Sequence, residues 1–187
     1  LTITKKIAMS TLLAFAGSNS STSINHELVT YLTTQLKEST FELFKLSDMD
    51  LIVYSEDEQR DNGFPSSINQ VYKHIQASTG IIISVNEHNS NPSAFFKNVL
   101  DWLSRLDRKF LEGKKVFLVS ASTGARGGMS SLEVVKNLIP RFGGEVVDTF
   151  SFPTFKENFS LTEKTITNEE LKKEILSKLH QFENQLK

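Results

Sequence analysis

Short apolar runs alternate along this chain with longer stretches in which apolar residues recur at helical spacing. We predict strands at Thr11–Ala16, Phe41–Leu46, Gly80–Val85, Lys115–Ser120 and Glu145–Phe150, and helical spacing over residues 24–36, 65–78, 93–106, 132–140 and 171–186. Alternation of this kind is typical of a parallel sheet with helices on both faces. The fold class that we predict is therefore α/β, a doubly wound five-stranded parallel sheet with the strand order 2-1-3-4-5.

Some segments carry a more detailed expectation. The run Gly80–Val85 is β-branched and apolar at nearly every position, which predicts a strand in the middle of the sheet. Residues 48–62 and 152–167 lack a clear period and are predicted to be irregular. The helix over residues 93–106 has a wide apolar face that includes Phe95 and Trp102, which we interpret as partly a subunit contact.

The first, third and fourth predicted strands are each followed by a loop rich in Ser, Asn, Thr or Gly. In the order 2-1-3-4-5 these three strands are neighbours, and the chain reverses direction between the first and the third. Ligands of such sheets bind in the crevice at that point, outside the carboxyl ends of the strands. The three loops are therefore predicted to converge on one ligand-binding crevice.

The loop after the first strand, residues 17–25, reads as a turn from a buried strand into a helix. The N-terminus of a helix favours an anion, and hydroxyl and amide side chains can donate hydrogen bonds to phosphate oxygens. The turn has one Gly and no Lys or Arg, so it is neither a dinucleotide fingerprint nor a Walker loop. Two interpretations stay open at this point: a phosphate site, or a plain helix cap formed by Ser23 or Asn25.

Composition sets the class of protein. The 187 residues are 39% hydrophobic and 23% charged, with 21 basic and 22 acidic side chains and a net charge of −1. This balance gives no electrostatic reason to expect nucleic acid or an anionic membrane as a partner. The absence of Cys removes disulfides, thiolate nucleophiles and Cys-based metal sites, and is consistent with a cytoplasmic location.

We assign residues 10–187 to a single domain and residues 1–9 to an N-terminal extension, with Met9 as a candidate natural start. Lys5, Lys6 and the apolar residues that follow imitate a signal peptide. Cleavage after Ala16 would delete the strand that carries the polar turn, so we reject that interpretation. No segment approaches the roughly 20 apolar residues that a transmembrane helix needs.

The turn resembles the G-S-x-R-x-x-S-x-N motif of the NADPH-dependent FMN reductase and quinone reductase family, which is flavodoxin-like and includes azoreductase-like proteins. Gly17, Ser18, Ser23 and Asn25 match, and Ser20 stands where the family usually has Arg. Three further segments resemble the family in the same order, namely residues 51–57 (L-P-L-Y-x-E-D), residues 85–102 (T-P-E-Y-N...L-K-N-A-I-D-W) and residues 111–128. Together these segments extend the resemblance over most of residues 11–150.

The resemblance implies an FMN site built from the three polar loops. The cofactor-binding residues that we predict are Ser18, Ser20, Ser23, Ile24, Asn25, Asn86, Glu87, His88, Asn89, Ser122, Thr123 and Gly124. The first five lie in the turn, where Ser18, Ser23 and Asn25 are the implied phosphate donors. The next four would meet the isoalloxazine largely through their backbone, and the last three would border its other side.

Three departures from the family pattern fall in the loop after the third strand. Asn86 replaces Pro, His88 replaces Tyr, and Pro92 lies one residue earlier than the family's Pro. We therefore expect this loop to follow a local path of its own, and the family's substrate preference is not carried over.

The resemblance implies an oxidoreductase that passes hydride from NADPH or NADH through flavin N5 to a small acceptor, such as free flavin, a quinone or an azo compound. Flavin chemistry asks little of side chains, so we predict no catalytic acid or base. His26, His74 and His180 have no metal-like spacing, and no metal site is predicted. Arg126 is the one cation in the three loops, and either the 2′-phosphate of NADPH or solvent is its expected neighbour.

Two other functions are compatible with the same fold. One is a flavodoxin-like electron carrier, although such carriers are usually strongly acidic and this chain is nearly neutral. The other is a regulatory flavodoxin-like domain that has lost FMN, which the substitutions at Ser20, Asn86 and His88 suggest. The resemblance also implies a homodimer or homotetramer.

Overall fold

The computed structural model describes residues 10–186, so the predicted extension at residues 1–9 lies outside the described residues, as does residue 187. Five parallel strands form the main sheet: β1 (Thr11–Ala16), β2 (Thr40–Phe44), β3 (Gly80–Val85), β4 (Lys115–Ala121) and β5 (Glu145–Phe152). Their order is β2-β1-β3-β4-β5, which confirms the predicted order. All six residues of β3 are buried, as a central strand with apolar side chains on both faces requires.

Seven α-helices accompany the strands within residues 10–186. They are α1 (Ile24–Thr34), α2 (Glu56–Asn62), α3 (Ser66–Ala77), α4 (Ala94–Leu106), α5 (Met129–Leu138), α6 (Phe155–Asn158) and α7 (Glu169–Asn184). None of these helices combines the length and the apolar character that crossing a bilayer requires.

Side chains that alternate along β1 divide the core into two layers. Leu12 and Ala14 pack in the same cluster as buried residues of α1 and α7, whereas Leu13 and Phe15 pack with those of α3, α4 and α5. This alternation follows from the two-residue period of a strand. Helices cover both faces of the sheet, so the polar side chains that follow the central strands lie at the carboxyl ends of those strands.

Two segments predicted to be irregular contain regular structure. Within residues 48–62 the helix α2 begins after Ser55, whose side chain accepts a hydrogen bond from the Glu58 N–H at 3.0 Å. This helix buries none of its residues, so it lacks the apolar stripe by which sequence analysis finds helices. Within residues 152–167 lie the short helix α6 and an antiparallel pair of two-residue strands, β6 (Phe159–Ser160) and β7 (Thr165–Ile166).

The wide face of α4 is largely accounted for within the chain. Trp102 is completely buried. The centroid of its ring lies 5.0 Å from that of Tyr54 and 6.0 Å from that of Phe64. Its indole N–H donates to the Ile52 carbonyl at 3.0 Å. The interpretation of Trp102 as part of a subunit contact was therefore wrong, because the chain itself covers the ring.

Candidate functional site

A crevice of about 270 Å³ opens where the carboxyl ends of β1, β3 and β4 meet. Its wall is formed by Ser18, Ser20, Thr22, Ser23, Ile24, Asn25, Asn86, Glu87, His88, Ala121, Ser122 and Thr123. The sequence predicted all of these except Thr22 and Ala121, while Asn89 and Gly124 from the prediction lie outside the wall. The three polar loops therefore do converge, as the strand order requires.

Two buried hydroxyl groups are oriented in the turn after β1. Ser18 Oγ accepts a hydrogen bond from the Ser20 N–H at 3.2 Å, and Ser23 Oγ accepts one from the His26 N–H at 3.2 Å. Both side chains are at least nine-tenths buried. Because each oxygen already accepts a backbone N–H, its own proton remains available to donate to a ligand in the crevice.

The first turn of α1 presents further donors. Ser23 caps this helix, and the backbone N–H groups of Ile24 and Asn25 have no acceptor among residues 10–186. Unpaired N–H groups of this kind are the usual anion-binding feature of a helix N-terminus. The turn holds no cation, so an anion here would be bound by neutral donors.

Asn25, in the first turn of α1, is joined by hydrogen bonds to the ends of two of the strands that form the crevice, β3 and β4. Its Oδ1 accepts hydrogen bonds from Ser84 Oγ at 2.8 Å and from the Ala121 N–H at 2.9 Å, and its Nδ2 donates to the Ala121 carbonyl at 3.0 Å. An Asn amide has two N–H groups, so one N–H is left for a ligand. The main effect of this side chain is to hold α1 and the ends of β3 and β4 in a fixed arrangement.

The start of the loop after β3 is held from its far side by α5. The Asn86 carbonyl accepts a hydrogen bond from Ser131 Oγ at 2.9 Å, and Glu87 Oε2 accepts one from the Ser131 N–H at 3.0 Å. The carboxylate of Glu87 thus meets the N-terminal turn of α5, where negative charge is stabilising. Both residues belong to the crevice wall, so α5 fixes this part of the wall in place.

The same loop turns back sharply between His88 and Asn91. The His88 N–H donates to the Asn91 carbonyl at 2.8 Å, and the Asn91 N–H donates back at 3.1 Å. Asn89 and Ser90 both adopt left-handed backbone angles, with φ of 51° and 63°. Two successive positive φ values are characteristic of a tight hairpin turn, and this turn carries Asn89 out of the crevice wall.

The loop after β4 is tied to the end of β5. The Ser122 N–H donates to the Phe152 carbonyl at 3.3 Å, and Gly127 has φ of 61° with its Cα so close to β5 that a Cβ would lie 2.8 Å from the backbone of Ser151. At Gly124 a Cβ would meet only Ser122 Oγ, at 3.7 Å, so packing within the chain does not require glycine there. The Arg126 carbonyl accepts a hydrogen bond from the Met129 N–H at 3.1 Å, whereas its side chain is exposed and forms no hydrogen bond or ion pair with another of residues 10–186.

Two titratable side chains lie in the first turn of α1, Glu27, which pairs with Lys164 at 2.8 Å, and His26. Burial, and then the positive charge of Lys45, lowers the pKa of His26 below its ordinary value of 6.5. At neutral pH the first turn of α1 therefore carries an uncharged imidazole. Within residues 10–186 no three His, Cys, Asp or Glu side chains are grouped in a way that could hold a metal ion.

Comparisons with known proteins agree with this geometry. A family model described as NADPH-dependent FMN reductase matches residues 10–157. A quinone reductase of Escherichia coli (strain K12) is 35% identical over 79 residues, which are 42% of this chain and 42% of that protein. The chain thus matches less than half the length of this curated relative.

Solved structures share the fold. FerB, a flavoenzyme NAD(P)H:(acceptor) oxidoreductase from Paracoccus denitrificans, superposes with a TM-score of 0.79 at 22% identity, covering 95% of this chain and 97% of that one. An FMN-dependent NADH-azoreductase from Bacillus anthracis in complex with FMN gives a TM-score of 0.61 at 15% identity, covering 92% and 99%. The fold is therefore flavodoxin-like, as predicted from the sequence.

Proposed function

Because this chain belongs to the NADPH-dependent FMN reductase family, we propose that it binds FMN in the crevice at the ends of β1, β3 and β4. NADPH or NADH is the proposed reductant, and the proposed acceptor is a small molecule such as free flavin, a quinone or an azo compound. The observation that carries the proposal is the set of neutral donors in the turn, which meets two polar loops at one crevice. When bound, FMN supplies the hydride-transfer chemistry.

The phosphate group is assigned to the turn. Its donors are the hydroxyls of Ser18 and Ser23 and the N–H groups of Ile24 and Asn25, with Ser20 at the rim. These groups fit a phosphate because each has an N–H or O–H that no acceptor among residues 10–186 uses. Since the turn has no cation, enclosure and hydrogen bonding replace charge pairing in holding the dianion.

The flavin ring is assigned to the space between the two remaining loops. Asn86, Glu87 and His88 form one wall, with Asn89 in the turn behind them, and Ser122 and Thr123 form the other, followed by Gly124. The chain's part in the reaction is to hold the ring and leave one side open for nicotinamide and acceptor in turn. No residue is assigned as a proton donor or acceptor, since hydride transfer needs none from the protein.

A homodimer or homotetramer is proposed as the assembly. Ile52 and Val53 are 53% and 76% exposed, although their neighbours Tyr54 and Trp102 pack inside the chain. Adjacent exposed apolar side chains on an anchored segment are typical of a contact surface. Light scattering of Val53→Asp should show a smaller particle than wild type, while Leu161→Asp, at a 52% exposed site on the β6–β7 turn, should not. A monomeric wild-type protein would contradict the proposal.

The cytoplasm is the proposed location.

A steady-state assay tests the reductase against a carrier. FMN-loaded protein should consume NADPH when a quinone, free flavin or azo dye is present, without any added reductase. A carrier would consume almost none until a partner reductase is supplied. A domain that had lost its cofactor would fail earlier, because FMN would not stay with the protein through gel filtration.

A further inference from the structure

Asn86 has an unusual hydrogen-bonding state for a buried amide. The residue is 7% exposed at the end of β3, and its Oδ1 is buried with no hydrogen-bond partner among residues 10–186. A buried amide oxygen of this kind normally finds a donor, because leaving it unpaired is unfavourable. In the part of the chain that the structure describes, two other buried side-chain atoms lack a partner, and neither belongs to the crevice wall, whereas Asn86 does.

The amide is held at the crevice by contacts that do not involve it. The carbonyl of Asn86 is fixed by Ser131 Oγ, and the next residue, Glu87, is fixed by the Ser131 N–H. Ser131 itself is completely buried. The backbone therefore cannot move the side chain to another donor. Asn25, by contrast, makes three hydrogen bonds through its amide in the same crevice.

We propose that the side-chain amide of Asn86 contacts the bound flavin directly, accepting a hydrogen bond from the flavin once it occupies the crevice. This inference rests on the proposed function. No hydrogen bond within residues 10–186 fixes the orientation of the amide, so rotation about the last side-chain bond can bring its oxygen within reach of the ligand. The donor belongs either to the ring, as the imide N–H, or to the ribityl chain, as a hydroxyl. The related family usually has Pro at this position, and Pro offers no such group.

The proposal predicts that replacing the Asn86 amide lowers flavin affinity without lowering the stability of the flavin-free protein. If the amide oxygen gains a hydrogen-bond partner only when flavin binds, replacing Asn86 by an apolar residue of similar size removes an unpaired polar atom from the flavin-free protein. Asn86→Leu should then leave the unfolding midpoint of the flavin-free protein unchanged or raise it. The same change should weaken flavin binding by about twofold to tenfold, which corresponds to the net contribution of one hydrogen bond. A residue that merely supports the fold would lower both quantities.

The experiment compares wild type, Asn86→Leu and the control Asn137→Leu, which changes an exposed amide on α5. Dissociation constants are measured by quenching of flavin fluorescence for FMN, riboflavin and lumiflavin, the last of which lacks the ribityl chain. Thermal unfolding is recorded on the flavin-free proteins. Asn137→Leu should match wild type for all three flavins.

Weaker binding of all three flavins by Asn86→Leu supports the ring imide as donor, and weaker binding of FMN and riboflavin alone supports a ribityl hydroxyl. Equal binding by wild type and Asn86→Leu overturns the inference and leaves the proposed function intact. Reduced stability of flavin-free Asn86→Leu also overturns it, because the amide would then have a structural role. If wild type binds none of the flavins, the proposed function fails, and this inference fails with it.

Discussion

Asn25 pairs with the backbone of Ala121 through two hydrogen bonds, as one strand residue pairs with another. Its Nδ2 donates to the Ala121 carbonyl at 3.0 Å, and its Oδ1 accepts the Ala121 N–H at 2.9 Å. The two residues are 96 positions apart in sequence. The first residues of α1 are thereby fixed to the end of β4, and the crevice between them has a defined width.

Asn25→Asp tests this link. The change keeps the size of the side chain but turns the amide donor into a carboxylate oxygen that faces the Ala121 carbonyl. We expect the free energy of unfolding to fall by roughly 1–3 kcal/mol, because a buried carbonyl loses its donor. FMN affinity should fall as well, since a negative charge would lie beside the phosphate. Asn19→Asp, at an exposed position in the same turn, should keep wild-type stability. Equal loss in both variants would contradict the account.

The sheet could be predicted from the sequence because each central strand is a short apolar run bounded by turn residues. Gly80–Val85 has apolar side chains on both faces. Gly17 directly follows the first strand, and glycine is required there because a Cβ would lie 2.6 Å from the Phe96 ring. Once the strand order was known, the general rule for doubly wound sheets placed the crevice. Thr22 and Ala121 were missed because one is an ordinary turn residue and the other an ordinary strand residue.

The hydrogen-bond network within the site could not be predicted in this way. The hydrogen bonds from Asn25 to Ala121 and from Ser131 to Glu87 join residues far apart in sequence, and neither has a spacing that signals it. The helix α2 was missed for a related reason, since it has a good N-cap but no buried face. Side-chain pairing of this kind depends on the packed fold.

Ser20 is the position at which the turn lacks the family's Arg. Ser20→Arg should tighten FMN binding by about threefold to tenfold at low salt, because a charge-assisted hydrogen bond to phosphate is stronger than a neutral one. The gain should shrink as salt is added, whereas wild-type affinity should respond less. Titrations at two salt concentrations measure both effects. Ser21→Arg places the same charge one residue away, also at an exposed position, and a similar gain there would show general attraction in place of a contact at Ser20.

Ser90 holds a left-handed backbone angle, φ 63°, that glycine adopts without strain. Ser90→Gly should raise the free energy of unfolding by roughly 0.5–1 kcal/mol, because relief of strain outweighs the added freedom of the unfolded chain. Denaturant unfolding of flavin-free protein measures it. Ser90→Ala keeps the steric problem and should stay close to wild type, so a gain as large in Ser90→Ala would show that strain is not the cause.

His26 should make stability depend on pH. Its pKa is lowered in the folded protein, mainly by burial, so between that value and 6.5 the unfolded chain binds more protons than the folded one. The free energy of unfolding should therefore decrease as the pH falls through this interval and level off below it. His26→Gln should remove this part of the decrease. Denaturant unfolding at a series of pH values checks it, and curves of identical shape for both proteins would contradict it.

The most direct test of the central claim is an anaerobic titration followed by visible absorption. Protein purified without added cofactor is supplied with FMN, freed of unbound flavin by gel filtration and then mixed with NADPH. We predict that one FMN remains with each chain and that its absorbance bleaches rapidly when NADPH is added. If no FMN stays with the chain, or if bound FMN does not bleach with NADPH or NADH, the assignment of the crevice to a flavin-dependent reductase is wrong.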